Sequence, residues 1–163
     1  MANLVVNDLD EGPISETLAE IRKLGGSAIA CTGNVTKPDF PDRFIKSAAD
    51  HFGGIDIIVN NAGYAWDTVI QKMADEQFQA MLDIHVTAPV RILRAASSFI
   101  IPAAKQEKGE GRIVARKVVN ISSISIFMGT LARSVTRRAR PRLSALPRQW
   151  PRNGDDTMST STA

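Results

Sequence analysis

Residues 55–59 read Ile-Asp-Ile-Ile-Val, nearly all apolar and mostly β-branched. Such a run forms a strand buried on both faces, and strands of that kind belong to parallel sheets covered by helices. The rest of the chain agrees. Leu4-Val5-Val6 predicts a short strand that stops at Asn7-Asp8. Pro13 then sits where a first helical turn tolerates it, Ile14, Leu18 and Ile21 recur at helical spacing, and Gly25-Gly26 closes that helix. Residues 27–31 read as a second strand. Phe40, Phe44, Ile45, Ala48, Ala49 and Phe52 form an apolar helix stripe ended by Gly53-Gly54. A long helix is predicted over residues 75–104, with Phe78, Met81, Leu82, Val86, Ile92 and Leu93 available for burial and Pro89 placed to kink it. After a charged loop, Lys117-Val118-Val119-Asn120-Ile121-Ser122 predicts the last strand. Short apolar runs alternating with helical patterns specify an α/β fold with a parallel sheet.

The 163 residues allow one domain and a tail. The net charge of +3 is unevenly spread. Residues 1–128 hold thirteen basic and fifteen acidic side chains, whereas residues 129–163 hold seven Arg and two Asp. In that tail Arg133, Arg137, Arg138, Arg140 and Arg142 crowd together, and Pro141, Pro147 and Pro151 interrupt any helix. The tail buries too little apolar surface to offset its ordering entropy and is expected to be disordered. Its arginines would give weak, salt-sensitive attraction to nucleic acid, but only Trp150 interleaves with them, so no nucleic-acid partner is expected. No run approaches 18 uninterrupted apolar residues, so no membrane span is expected. Cys31 is the single cysteine, which excludes an intrachain disulfide and fits a reducing compartment. The start carries no basic-then-apolar leader pattern, and a cytoplasmic location is the expectation.

Two strand ends carry the candidate chemistry. Asn60-Asn61-Ala62-Gly63 follows the buried strand at its carboxyl end, where open α/β sheets bind ligands. Small residues there let a flat ligand approach the backbone, and Asn amides fix neighbouring loops. A plain turn would use the same residues. Asn120-Ile121-Ser122-Ser123 ends a second strand in the same way and brings hydroxyls to the same rim.

These motifs resemble the short-chain dehydrogenase/reductase family, over about 120 residues from Leu4 to Ser123. Residues 56–63 resemble its strand-four NNAG motif, residues 118–123 its strand-five segment, and Gly33-Asn34-Val35-Thr36 the turn that holds the adenine. The resemblance implies a Rossmann-like, doubly wound parallel sheet. It implies NAD as cofactor, with NADP possible in the family, because Asp8 takes the place of the acid that binds the ribose 2′-hydroxyl; a helix-capping role for Asp8 is the alternative. Asn34, Val35, Asn61, Ala62 and Gly63 would line the cofactor. Ser123 matches the serine that hydrogen-bonds the substrate oxygen, and His85 stands where an Asn often supports the active-site water chain; a half-buried structural histidine is the alternative. No metal is implied. The nearest look is to 3-oxoacyl-carrier-protein reductases and hydroxyacyl dehydrogenases, which move a hydride between nicotinamide and a carbonyl or alcohol carbon of a small-molecule substrate.

Two departures qualify that expectation. The family's opening strand and TGxxxGIG loop have no counterpart, because Leu4 begins what corresponds to the second strand. The missing strand would lie between the strands at Leu4 and Ile55, so the sheet is expected to be incomplete, without its first and last strands. The Tyr-x-x-x-Lys pair is also absent: Thr136 and Arg140 stand at its spacing, and the only tyrosine is Tyr64. Threonine has no hydroxyl that ionises in the useful range, and arginine keeps the charge with a different geometry. A reading frame shifted one base earlier from about Gly129 is compatible with tyrosine at 136 and lysine at 140, so the tail reads as a frameshifted continuation. The expectation is therefore an oxidoreductase by family that is inactive as it stands. The alternative is a noncatalytic protein that acts by association, as a homo-oligomer or docked on a full-length relative through the helix from Asp75 onward.

Overall fold

The computed structural model describes residues 2–66 and 68–122, together with the backbone of residues 158–162. Strand β1 (Asn3–Val6) leads into helix α1 (Glu11–Lys23), then β2 (Ser27–Ala30) and α2 (Phe40–Phe52). Strand β3 (Ile57–Asn60) is followed by helix α3 (Asp75–Leu82), which runs on into α4 (Ala88–Gly109), and then by β4 (Arg116–Asn120) and β5 (Met158–Thr162). All strand pairs are parallel. Leu4 stands opposite Ala28 in the β1–β2 ladder, and Ile58 opposite Val118 in the β3–β4 ladder.

The sheet is split. β1 and β2 form one ladder and β3, β4 and β5 another, with no ladder between β1 and β3 among the described residues. One core nevertheless spans the split. Cys31 after β2, Phe40 and Ile45 on α2, Ile58 on β3, and Ile92, Ala96 and Ile100 on α4 form a single buried cluster, with Val5 of β1 packed against it. Ile58 is buried while its neighbours Ile57 and Val59 are exposed, so β3 has helices on one face and an open face on the other. The expectation of a strand buried on both faces therefore holds for one face only. The side chains are right for a covered sheet, but the cover among the described residues lies on one side.

The helix ends follow from local chemistry. Gly53 takes the left-handed conformation (φ 78°) and donates its N–H to the Ala49 carbonyl, which stops α2 where the sequence predicts. The long helix is interrupted ahead of Pro89 and not at it. Residues Asp83–Thr87 form a π-helical turn in which the Ala88 N–H reaches back five residues to the Asp83 carbonyl. Pro89 brings no N–H to the first turn of α4, so the ladder changes spacing just before it. Met81, Ile84, Ala88, Ile92, Ala96 and Ile100 lie on the buried side of this helix, whereas Phe78, expected inside, is exposed. The stretch Asp75–Gly109 is long and apolar enough by composition to cross a membrane. Its buried stripe is the packing face of a core helix.

At the outer edge β4 has a partner from the tail, most of which lies outside the described residues. Residues Met158–Thr162 pair in parallel with the whole of β4, Arg116 opposite Met158 and Asn120 opposite Thr162. The outer edge of β4 offers a row of backbone donors and acceptors that a short extended segment can satisfy.

Behind the sheet, at the amino ends of β3 and β4, a charged pair fixes the frame. Buried Arg116 donates from Nη1 and Nη2 to the two oxygens of Glu107 on α4 (2.8 and 2.7 Å) and from Nε to the Ile55 carbonyl (3.2 Å). The hydrogen bond from Arg116, ahead of its charge, holds the Glu107 carboxyl below the ordinary glutamate range.

Candidate functional site

The carboxyl ends of β1 and β2 are laced together by one amide. Asn7 Nδ2 donates to the carbonyls of Cys31 and Gly33, each at 2.9 Å. The Gly33 N–H in turn donates to the Asp8 carbonyl at 2.9 Å. Asp8 itself is exposed, and its Oδ1 accepts the N–H groups of Leu9 (2.7 Å) and Asp10 (3.3 Å), a turn closed by its own carboxylate. The N-cap of α1 is Asp10, so Asp8 precedes the helix instead of capping it.

Gly33 has φ 149°, and a Cβ added there would stand 2.6 Å from Arg43 Nη2 and 3.2 Å from the Phe40 ring. An L side chain is strained at that φ and would also push the guanidinium aside. Arg43 lies over the Phe40 ring (5.2 Å to its centroid) and donates to the Thr32 carbonyl at 3.0 Å and to the Cys31 sulfur at 3.5 Å. The next turn is fixed by Asn34, whose Oδ1 accepts from the Thr36 N–H (2.9 Å) and hydroxyl (2.8 Å). Arg91 on α4 donates to the Thr36 carbonyl at 3.1 Å. Val35 packs against both the main core and the smaller cluster of Met81 and Ile84.

In that other half, Asn60 Nδ2 donates to Asn120 Oδ1 at 2.8 Å, locking the ends of β3 and β4 side by side. The Ile121 N–H donates to the Asn60 carbonyl at 3.1 Å and continues the ladder. Asn61, Ala62 and Gly63 lie exposed beyond it. His85 is 3% exposed, and its Nε2 lies 2.9 Å from the Tyr64 carbonyl oxygen. A carbonyl only accepts, so this hydrogen bond needs a proton on Nε2, carried by the Nε2–H tautomer or by the imidazolium. The π-helical turn carries His85 to this contact, and such turns recur at functional sites.

Of the residues singled out from sequence, Asp8, Asn34 and Val35 gather around Gly33, while Asn61, Ala62, Gly63 and His85 gather at the ends of β3 and β4. Ser123 lies outside the described residues, as do Thr136 and Arg140. Two organising residues escaped the sequence reading. Asn7 does its work through partners 24 and 26 positions away. Arg43 had one local signal, its spacing of one helical turn from Phe40.

Against known proteins, residues 1–135 match the family profile described as short chain dehydrogenase. The chain belongs to the short-chain dehydrogenase family. It is 35% identical over 127 residues to a 3-oxoacyl-[acyl-carrier-protein] reductase of Synechocystis sp., covering 77% of this chain and 47% of that protein. It is 30% identical over 150 residues to a hydroxyacyl-CoA dehydrogenase of Mycobacterium tuberculosis, covering 89% of this chain and 46% of that one. The chain thus spans about half the length of the curated relatives it matches. Among solved structures, 98% of it superposes on 55% of a short-chain dehydrogenase/reductase from Burkholderia phymatum in complex with NAD, with TM-score 0.83 and 17% identity. It also matches a short-chain dehydrogenase from Mycobacterium avium with TM-score 0.74 and 27% identity, over 88% of this chain and 51% of that one. The split, parallel α/β arrangement is that of a Rossmann-like sheet in part.

Proposed function

We propose that this rim is the adenosine and nicotinamide-riboside face of an NAD-dependent oxidoreductase acting on a carbonyl or alcohol carbon. One observation carries the reading. Asp8, Gly33 and Asn34 lie at the carboxyl ends of β1 and β2, and Asn60 to Gly63 at the carboxyl end of β3, and both pairs of strands share the one core that holds Val5, Cys31 and Ile58. The residues fit a dinucleotide: Asp8 offers an exposed carboxylate at the end of β1, and the exposed Asn61-Ala62-Gly63 segment beyond β3 carries only small side chains against which a nucleotide could lie. When bound, the nicotinamide would supply or accept the hydride.

Asp8 would accept from the ribose hydroxyls, which favours NAD over NADP because a 2′-phosphate would meet a like charge. Asn34 and Val35 would hold the adenine edge, and Asn61, Ala62 and Gly63 would let the nucleotide lie against backbone. His85 acts through the Tyr64 carbonyl and is a positioning residue. Ser123 would hydrogen-bond the substrate oxygen where negative charge develops.

The same reading gives the chain little turnover. Thr136 and Arg140 stand where the resemblance places a phenol and an ammonium, so nothing there moves a proton to or from the substrate oxygen near neutral pH. The test is a pair of assays on the purified chain: saturable quenching or transfer with NADH, and NADH oxidation with 3-oxoacyl and simple ketone substrates. Binding with negligible oxidation is the expected result. Brisk oxidation contradicts the inactive reading, and no binding contradicts the cofactor assignment.

A second reading is favoured by the helix surface. Phe78 on α3 and Phe99 and Ile101 on α4 are exposed. In this reading the chain is noncatalytic and docks by those helices on a second copy or a complete relative. Co-elution with a complete relative in size-exclusion chromatography, lost on Phe99→Ser with Ile101→Ser, is the expected outcome, and separate elution counts against it.

A further inference from the structure

The two parts of the proposed nucleotide site belong to two ladders that do not pair. Asp8 and Asn34 stand at the ends of β1 and β2, and Asn61 to Gly63 stand beyond β3. No ladder joins β1 to β3 among the described residues. Something other than sheet hydrogen bonding therefore sets how far apart the two parts lie. The shared core holds both ladders against one body, yet apolar packing supplies no directional bond at the rim.

Arg91 supplies such a bond. It stands half-buried in the first turn of α4, and its Nη1 donates to the Thr36 carbonyl at 3.1 Å, 55 positions away. The accepting turn keeps its own shape, because Asn34 Oδ1 takes the Thr36 N–H (2.9 Å) and hydroxyl (2.8 Å). Arg91 thus grips a preformed turn from outside, through a charge-assisted hydrogen bond of the stronger kind. Six positions earlier on the same helical run, His85 Nε2 lies 2.9 Å from the Tyr64 carbonyl oxygen, directly after Gly63. One stiff segment reaches the turn after β2 with one side chain and the chain after β3 with another.

We propose that Arg91 is a positioning residue: with His85 it makes the helical segment 85–91 a strut that sets the distance between the adenosine and nicotinamide parts of the site. The naming of those two parts rests on the dinucleotide reading above, and the strut rests on the two hydrogen bonds. A consequence follows from linked binding. A dinucleotide gains from its second half only when the half-sites stand at the separation its linker spans, and the gain falls when that separation varies. In this assignment Arg91 contacts neither half of the ligand and acts on the spacing alone.

The test uses the full chain carrying Cys31→Ala, with nitroxide labels at Lys37→Cys and Ala65→Cys, both exposed positions just past the two anchored carbonyls. Double electron–electron resonance then reads the separation without any ligand. A narrow distribution is expected in this parent and a broader one with Arg91→Met, which keeps an apolar stem and loses the donor. Arg91→Lys, whose ammonium can still donate, should narrow it again. Far-ultraviolet circular dichroism of each variant checks that the fold is kept. Equal widths in all three, or broadening that Arg91→Lys leaves in full, would overturn the proposal. Titrations followed by chemical shift read the consequence for binding. Arg91→Met should weaken NADH about tenfold and leave AMP and reduced nicotinamide mononucleotide each within about twofold of the parent. A loss for AMP equal to that for NADH would make Arg91 part of the adenosine turn itself and overturn the strut. The two readings fail separately. Broadening by Arg91→Met in a chain whose parent binds no NADH supports the strut and contradicts the dinucleotide reading, whereas NADH binding with unchanged widths does the reverse.

Discussion

His85 Nε2 lies 2.9 Å from the carbonyl oxygen of Tyr64, joining the interior of the long helix to a rim segment 21 positions earlier. This bond converts a change in helix spacing into a fixed loop. The π-helical turn at Asp83–Thr87 brings the ring inward, and the ring then holds the chain just beyond Gly63. Replacing His85 by Ala leaves a carbonyl without this donor and a void in the helix packing. We predict a loss of about 1–3 kcal/mol, read from urea denaturation. A positioning role adds a second signature: faster amide exchange at residues 64–66, largely restored by His85→Gln, whose amide can still donate. An alanine variant as stable as the parent, with unchanged exchange, contradicts this account.

The pair of Arg116 and Glu107 predicts a pH dependence. Glu107 titrates below the ordinary glutamate value of 4.5 because the Arg116 guanidinium hydrogen-bonds its ionised form. A depressed carboxylate favours the folded state fully above its unfolded value and loses that contribution as the pH falls through its folded value. Urea midpoints of the parent and of Glu107→Gln should therefore differ most at pH 6–7 and draw together as the pH falls below 4.5. The variant is less stable at neutral pH, because it leaves the buried guanidinium without its charge partner. Midpoint differences that stay constant down to pH 3 would show that the pair contributes nothing through ionisation.

Gly33 and Arg43 should behave as a coupled pair. Gly33→Ala puts a methyl 2.6 Å from Arg43 Nη2 on a backbone at φ 149°. A destabilisation of about 1–3 kcal/mol is expected, from both the backbone strain and the close contact. Adding Arg43→Ala removes the clash and leaves the strain, so the double variant should lose less than the sum of the two singles. A double-mutant cycle measures this directly. Strict additivity would mean that the guanidinium does not crowd the glycine.

Much of the architecture is legible in the sequence because it is written locally. The strand before Asn60 shows in its β-branched side chains, and the ends of α1 and α2 show in Gly25 and Gly53, both at positive φ. The split between β1 and β3 was legible too, once the strand order implied by the family resemblance was compared with the strands present. What stayed hidden is tertiary. Asn7, a short polar residue at a strand end, reads as turn chemistry until its carbonyl partners on the neighbouring segment are known. Phe78 falls on an apolar helical stripe, but the stripe turns at the π-helical segment and leaves it outside. The pairing of Met158–Thr162 with β4 joins segments some forty positions apart, Arg116 opposite Met158, and the Ser-Thr composition of the later one carries no strand pattern. The candidate site divides in the same way. Asn61, Ala62 and Gly63 were legible as a motif, whereas the lock between Asn60 and Asn120 depends on two strand ends meeting.

The central claim is that the rim between Asp8 and Gly63 binds a nicotinamide dinucleotide. The most direct measurement is calorimetric titration of the full chain with NADH, for the parent and for Asp8→Ala. Asp8 is exposed and its Oδ1 closes only a local turn, so the substitution should leave the fold intact. The account predicts one saturable site, weakened about tenfold by the loss of a hydrogen bond to a charged group. The variant should also discriminate less between NADH and NADPH. Absence of saturable heat in the parent, or equal affinity in the parent and Asp8→Ala, would contradict it.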